Sequence, residues 1–142
     1  MSTMERVLRL MADKKASDIY LAANSPVLIK INGECIPINS QLLPVDGPRS
    51  LLAEIVTPRD METLQETGEL NIGVPLQGVG RIRISAMHQR CFSAVVIRFI
   101  SHYVPSLASL PLPEILGDLN LEKRGLLRVV CSTGTGHRTT LA

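Results

Sequence analysis

A two-residue step, Asn32-Gly33, stands between two runs of mostly apolar residues, Val27-Leu28-Ile29-Lys30-Ile31 and Glu34-Cys35-Ile36-Pro37-Ile38. Asn-Gly takes the two positive φ angles of a type I′ turn, whose twist matches the strands it joins, so it is the strongest short-range signal for a β-hairpin. Pro37 has no N–H to donate to a ladder, which makes the second strand an edge strand or ends it early. Ala16-Ser17-Asp18-Ile19-Tyr20-Leu21 reads as the start of a preceding strand, and three further strand candidates follow at 69–75, 79–89 and 91–100, joined by Gly78 and a turn near Arg90.

Helical patterns separate these strands. Ser2-Thr3-Met4-Glu5 has the form of a capping box, and Met4, Val7, Leu8 and Met11 recur at helical spacing, with Glu5, Arg6 and Arg9 left for solvent. Lys14 and Lys15 near the end of this helix suit its dipole. After Pro44, residues 50–56 read as a second helix; Pro58 starts a third, which Gly68 stops. The resulting order, one strand, a hairpin, two helices and three strands, predicts an α+β domain over 1–101 with an antiparallel sheet and helices on one face. A chain of 142 residues, 45% apolar, is long enough to bury such a core.

Residues 102–124 carry Pro105, Pro111 and Pro113 and short apolar steps, the composition of a semi-rigid linker with one or two helical turns around Pro113-Glu114-Ile115-Leu116. Leu126-Leu127-Arg128-Val129-Val130 reads as a short buried strand running into Cys131-Ser132-Thr133-Gly134-Thr135-Gly136-His137-Arg138-Thr139, a Gly/Thr loop opening toward a helix. That is the outline of a phosphate-binding loop, where backbone N–H groups converge on phosphates, a Lys reaches the β- and γ-phosphates and a Ser/Thr hydroxyl holds Mg²⁺. In this copy Cys131 replaces the first Gly, Gly136 is in place, His137 replaces the Lys and Arg138 replaces the hydroxyl residue. Imidazole is short and neutral near pH 7, so it supplies no fixed charge between the phosphates. Weak, metal-independent anion binding by Thr133, Gly134, Thr135, Gly136, His137, Arg138 and Thr139 is compatible with this pattern, and hydrolysis is not.

Five blocks together resemble the type IV pilus retraction ATPases that drive twitching motility. They are Ala16-Ser17-Asp18-Ile19-Tyr20-Leu21, the strand Gly80-Arg81-Ile82-Arg83-Ile84-Ser85-Ala86-Met87-His88-Gln89-Arg90, Leu110-Pro111-Leu112-Pro113-Glu114-Ile115-Leu116, Leu121-Glu122-Lys123-Arg124-Gly125-Leu126-Leu127, and Ser132 to Gly136 with Thr139-Thr140-Leu141-Ala142. Thr135 and the Met-rich first helix make the chain more similar to the PilU-like than to the PilT-like branch. The resemblance implies a PAS-like sheet for the N-terminal domain, a linker, and over 125–142 the first strand and P-loop of a truncated RecA-like motor. It also implies a cytoplasmic protein that associates with itself and with other retraction ATPase subunits, forming a hexamer in the parent family, with peripheral contact to the pilus machine. ATP and Mg belong to that family; none is expected as a cofactor of this chain, for which no catalytic residue is assigned.

Alternation sets Ile82, Ile84 and Ala86 on the buried side of their strand and Arg81, Arg83 and Ser85 on the other. Two guanidiniums on one strand face form a clamp for phosphate or carboxylate, since each offers a planar fork of donors. The resemblance implies that Arg81, Arg83 and Arg90 face the phosphates of a nucleotide held by the motor. His88 and His102 have no carboxylate spaced as a partner, and Cys35, Cys91 and Cys131 lack metal-site or disulfide spacing, so no metal is expected. A net charge of +2 without a basic run, and the lack of a spanning apolar stretch, argue against nucleic acid and membrane insertion.

These readings converge on the N-terminal oligomerisation and nucleotide-sensing portion of a retraction ATPase, itself not catalytic. A stand-alone PAS-like module binding a ligand or protein is the alternative. It would need an apolar pocket, and an aromatic share of 3% speaks for a filled core instead. The strand at 126–130, with no partner strands written after it, is expected to add to a sheet edge, preferably that of a second molecule.

Overall fold

The computed structural model describes residues 2–76, 80–90, 92–100, 105–130 and 136–141. Chain packing divides the protein into two compact units, Met1–Ser101 and His102–Ala142.

In the first unit, α1 (Thr3–Asp13) is followed by β1 (Asp18–Ala22), β2 (Pro26–Ile31) and β3 (Glu34–Leu42). Then come α2 (Gly47–Ala53), α3 (Pro58–Thr67), β4 (Glu69–Leu76), β5 (Gly80–Gln89) and β6 (Phe92–Ile100). The strands form one six-stranded sheet in the order β3-β2-β1-β6-β5-β4, antiparallel at every pairing. Asn32 and Gly33 take φ of 50° and 87°, the backbone that the hairpin between Ile31 and Glu34 requires. Pro37 does lie in an edge strand, but that strand does not end there: a register shift lets it resume pairing at Leu42 with Pro26. Its exposed outer edge needs no donor from Pro37.

Side-chain alternation turns one face of this sheet inward. Ile19 and Leu21 of β1, Ile29 of β2, Leu70 of β4, Ile82 and Ile84 of β5, and Val95 and Ile97 of β6 are buried in one cluster with residues from all three helices. From α1 come Met4, Leu8 and Met11, from α2 Leu51 and Leu52, from α3 Leu64. Each such side chain contributes about 1.5–3 kcal/mol of burial, which outweighs the weak intrinsic preference of short helices. The N-termini of α1 and α3 are capped by side chains. Ser2 caps α1 by accepting from the Glu5 N–H at 3.1 Å, and Glu54, just past α2, accepts from the Met4 N–H at 2.7 Å, tying the two helices together. The second helix begins earlier than its apolar residues suggest, at Gly47 with Pro48 in its first turn, and stops at Ala53 instead of Val56. Proline's fixed φ suits a first turn, so the apolar stripe marks only the buried part of the helix.

At α3, Thr57 and Asp60 form a reciprocal capping box and Gly68 closes the other end with φ 79°. The Thr57 hydroxyl, and next its N–H, donate to the Asp60 carboxylate and hold its pKa below the ordinary value.

Asp18 is the one acidic group buried in this unit among the described residues. It lies in β1 on the face opposite the core, where its Oδ1 accepts from Arg98 Nε of β6 at 2.9 Å and its Oδ2 accepts from the Ser17 hydroxyl at 2.9 Å. The bond to Arg98 crosses the seam at which the two halves of the sheet meet.

The second unit contains a short 3₁₀ turn (Leu107–Ser109), α4 (Ile115–Asn120) and α5 (His137–Leu141). The segment expected as a buried strand, Leu126 to Val130, is not one. It pairs with no strand among the described residues, and Leu126 and Val130 are 93% and 74% exposed. Apolar side chains favour a strand only where a neighbouring backbone takes up their N–H and C=O groups, and all six strands of the sheet come from the first unit.

Two stability outcomes follow. Thr57→Ala is expected to cost about 1 kcal/mol at neutral pH. A carboxyl whose pKa is lower folded than unfolded stabilises above its unfolded value of about 3.9, and the gain is lost as pH falls through the folded value. Urea denaturation at neutral pH and below about pH 3 should therefore show the difference between the two proteins shrinking in acid. Asp18→Ala removes the acceptor of a charged hydrogen bond and should cost about 1–2 kcal/mol, discounted for the half-exposed arginine. An unchanged urea midpoint would show that the seam does not depend on it.

Candidate functional site

The helices cover one face of the sheet; the other is open, and its register lines up the charges. Lys30 of β2 is opposite Asp18 of β1, Asp18 opposite Arg98 of β6, Arg98 opposite Arg83 of β5, and Arg83 opposite Gly73 of β4. Arg81 stands one step along β5, between Ile100 and Pro75. Arg81, Arg83 and Arg98 are all exposed, whereas Ile82, Ile84 and Ala86, which alternate with the first two, are buried. The expected split of this strand into an apolar and a basic side is thus what the structure shows.

Arg83 and Arg98 are directly opposed, so their Cβ atoms are about 5 Å apart, an arrangement that is unfavourable for like charges. Asp18 offsets only one of them. Its hydrogen bond, then its charge, raise the Arg98 pKa above the ordinary value, and the Asp18 side chain is just 7% exposed against 46% for Arg98. Among the described residues the ion pairs are Arg98–Asp18 and Arg9–Glu5, so no carboxylate holds Arg81 or Arg83. The carboxylate of Glu69 lies toward the far end of β4, opposite Met87. Beside the arginines, the Ser85 hydroxyl donates to Asn71 Oδ1 at 2.6 Å. A surplus of guanidinium on a flat, open sheet can do one chemical thing well: bind an anion through several charge-assisted hydrogen bonds.

Arg90 is not part of this group. It sits at the β5–β6 turn with φ 56°, about 23 Å along the strand from Arg83 at about 3.3 Å per residue. Arg98 is part of it and was missed. Its signal was present in the tight turn at Arg90: folding the following strand back from there sets Phe92 opposite Gln89 and Arg98 opposite Arg83.

Of the loop residues, Thr133, Gly134 and Thr135 lie outside the described residues. Gly136 is exposed with φ 93°, its carbonyl accepts from the Thr140 N–H at 3.0 Å, and His137, Arg138 and Thr139 open α5. Among the described residues no helix is long and apolar enough to cross a membrane.

No family model matches the chain. Individual proteins do. The type IV pilus ATPase PilU of Pseudomonas aeruginosa is 38% identical over 138 residues, 97% of this chain and 36% of PilU. The type IV pilus retraction ATPase PilT of the same organism is 29% identical over 136 residues, covering 96% and 40% respectively. The solved structure of the pilus retraction motor PilT with bound ADP superposes with a TM-score of 0.74 at 28% identity, over 99% of this chain and 41% of that one. The chain thus spans about two fifths of the length of the relatives it matches. Over nearly its whole length, the chain is similar to the type IV pilus ATPases PilU and PilT.

Proposed function

We propose that this chain is the front, non-catalytic portion of a type IV pilus retraction ATPase, and that its open sheet face presents guanidinium groups to the phosphates of a nucleotide held elsewhere in the assembly. The observation that carries this reading is the line of Arg83 and Arg98, with Arg81 beside it, exposed and short of carboxylate partners. A face that only had to be soluble would intersperse acidic and basic groups. Support for the family part comes from the match of nearly the whole of this chain to about two fifths of PilU and PilT.

In finer terms, residues 1–101 form a PAS-like domain, 102–124 a linker and 125–142 the opening of a RecA-like motor. The loop over Thr133 to Thr139 is a P-loop without its Lys and Ser/Thr, so it holds no Mg-nucleotide in a reactive geometry. The protein works in the cytoplasm, associates with its own kind and with other retraction ATPase subunits, and touches the pilus machine from that side. In this arrangement ATP and Mg are resident in the intact motor, and this chain contributes orientation and charge.

Three measurements test it. Calorimetry with Mg-ATP on this chain should show no affinity tighter than about millimolar, equivalent to about 4 kcal/mol; micromolar binding would overturn the assignment of the loop. Arg81→Ala with Arg83→Ala should leave the melting temperature almost unchanged, since exposed, unpaired charges are worth within about 0.5 kcal/mol each, and a loss of several degrees would make them structural. Exchanging the matched segment of PilU for residues 1–101 should retain ATP turnover in the purified chimera, which the same double substitution should lower at least about tenfold, the loss expected on removing a charged transition-state contact. Full turnover with both arginines gone would remove the phosphate-facing role.

A further inference from the structure

Gly73 lies inside β4 at the position facing Arg83, with a neighbour on each side able to continue the strand. Its φ is not in the left-handed region, so no turn demands glycine here. Glycine inside a strand weakens it and commonly marks a place where another group approaches closely. That group is Arg81. A Cβ added at Gly73 would stand 2.7 Å from Arg81 Nη2, 3.0 Å from Nε and 3.3 Å from Cζ. The Arg81 side chain, though exposed, therefore lies along the sheet. It runs diagonally from β5 and lays its guanidinium over the bare backbone of β4, a reach that long side chains make across about 7–8 Å.

We infer that Gly73 is a positioning residue for Arg81: it seats that guanidinium in the row of Arg98 and Arg83, producing three planar cations in line across β6, β5 and β4. This rests on the reading of the arginine face given above. With strands about 4.8 Å apart, the backbone positions that carry the row span about 10 Å, which suits an anion bearing several phosphoryl groups in succession more than a single phosphate or carboxylate. Any other side chain at this position raises Arg81 off the sheet and out of the row. The shift is easy for a flexible side chain, so the effect falls on where the charge is presented and not on the fold.

The test uses the full chain with inorganic tripolyphosphate as probe, at low salt. Wild type should show a nuclear Overhauser contact between the Arg81 Nε–H and the Gly73 α protons, which Gly73→Ala should shift to a different pattern with no loss of melting temperature. Tripolyphosphate affinity should fall about fivefold, the upper worth of one exposed ion pair, and Gly73→Ala should have no further effect once Arg81→Ala is present. Arg81→Lys, which retains charge without the planar fork, should weaken binding to a similar extent. If Arg83→Ala abolishes binding while Gly73→Ala and Arg81→Lys change nothing, the seating role is wrong and the anion-facing reading stands. If wild type does not bind tripolyphosphate, that reading falls, and the contact to Gly73 alone then decides whether Arg81 is seated; its absence in wild type overturns the inference.

Discussion

The fold depends on the pairing of β1 with β6. The hairpin of β2 and β3 follows β1 closely in sequence, and β4, β5 and β6 form a second local meander, but α2 and α3 separate the two groups. Only five cross-strand pairs, Asp18 with Arg98 through Ala22 with Ala94, make one sheet of them. This is a contact of high sequence separation, costly in chain entropy, and it needs a specific reward. Part of that reward is apolar, through Ile19 and Ile97 on the core side. Part is polar, through a buried carboxylate whose two oxygens are both occupied.

That ion pair also determines what the open face can be. Buried Asp18 is committed to Arg98 and Ser17, so it is not free to neutralise Arg83, which lies one strand beyond Arg98. The sheet therefore carries two opposed arginines with one carboxylate, which lies on the far side of Arg98 from Arg83, and a third arginine brought alongside where β4 has no side chain. Like charges so placed oppose folding slightly, and the core easily absorbs the penalty. Their arrangement makes sense as a surface awaiting an anion. Stability and site are thus linked at one row of the sheet: the seam holds Arg98 still, and the strand next to it sets Arg83 against it.

The second unit shows the limit of local pattern. Leu126 to Val130 has the composition of a central strand, yet composition specifies only that such a segment is stable when covered and paired. Among the described residues no strand pairs with it, and it is irregular and exposed. In α3 the reverse holds: Thr57, Pro58, Asp60 and Gly68 satisfy the ends of that helix within a few residues, so its bounds are the ones its sequence predicts.

Local chemistry is what the sequence determined by itself. The Asn32-Gly33 turn, the capped helices α1 and α3 and the two-sidedness of β5 each rest on residues close together in the chain, because turns, caps and alternation are short-range physics. The motifs that resemble retraction ATPases were legible for the same reason, being contiguous strings. Much of the site was legible too: Arg81 and Arg83 through alternation, and Arg98 in principle through the turn at Arg90. Tertiary structure alone decided that β1 borders β6, that Asp18 is buried beneath Arg98, and that Gly73 makes room for Arg81. The first two depend on residues 80 positions apart meeting, the last on which way a long side chain leans across two paired backbones, and no periodicity along the chain encodes either.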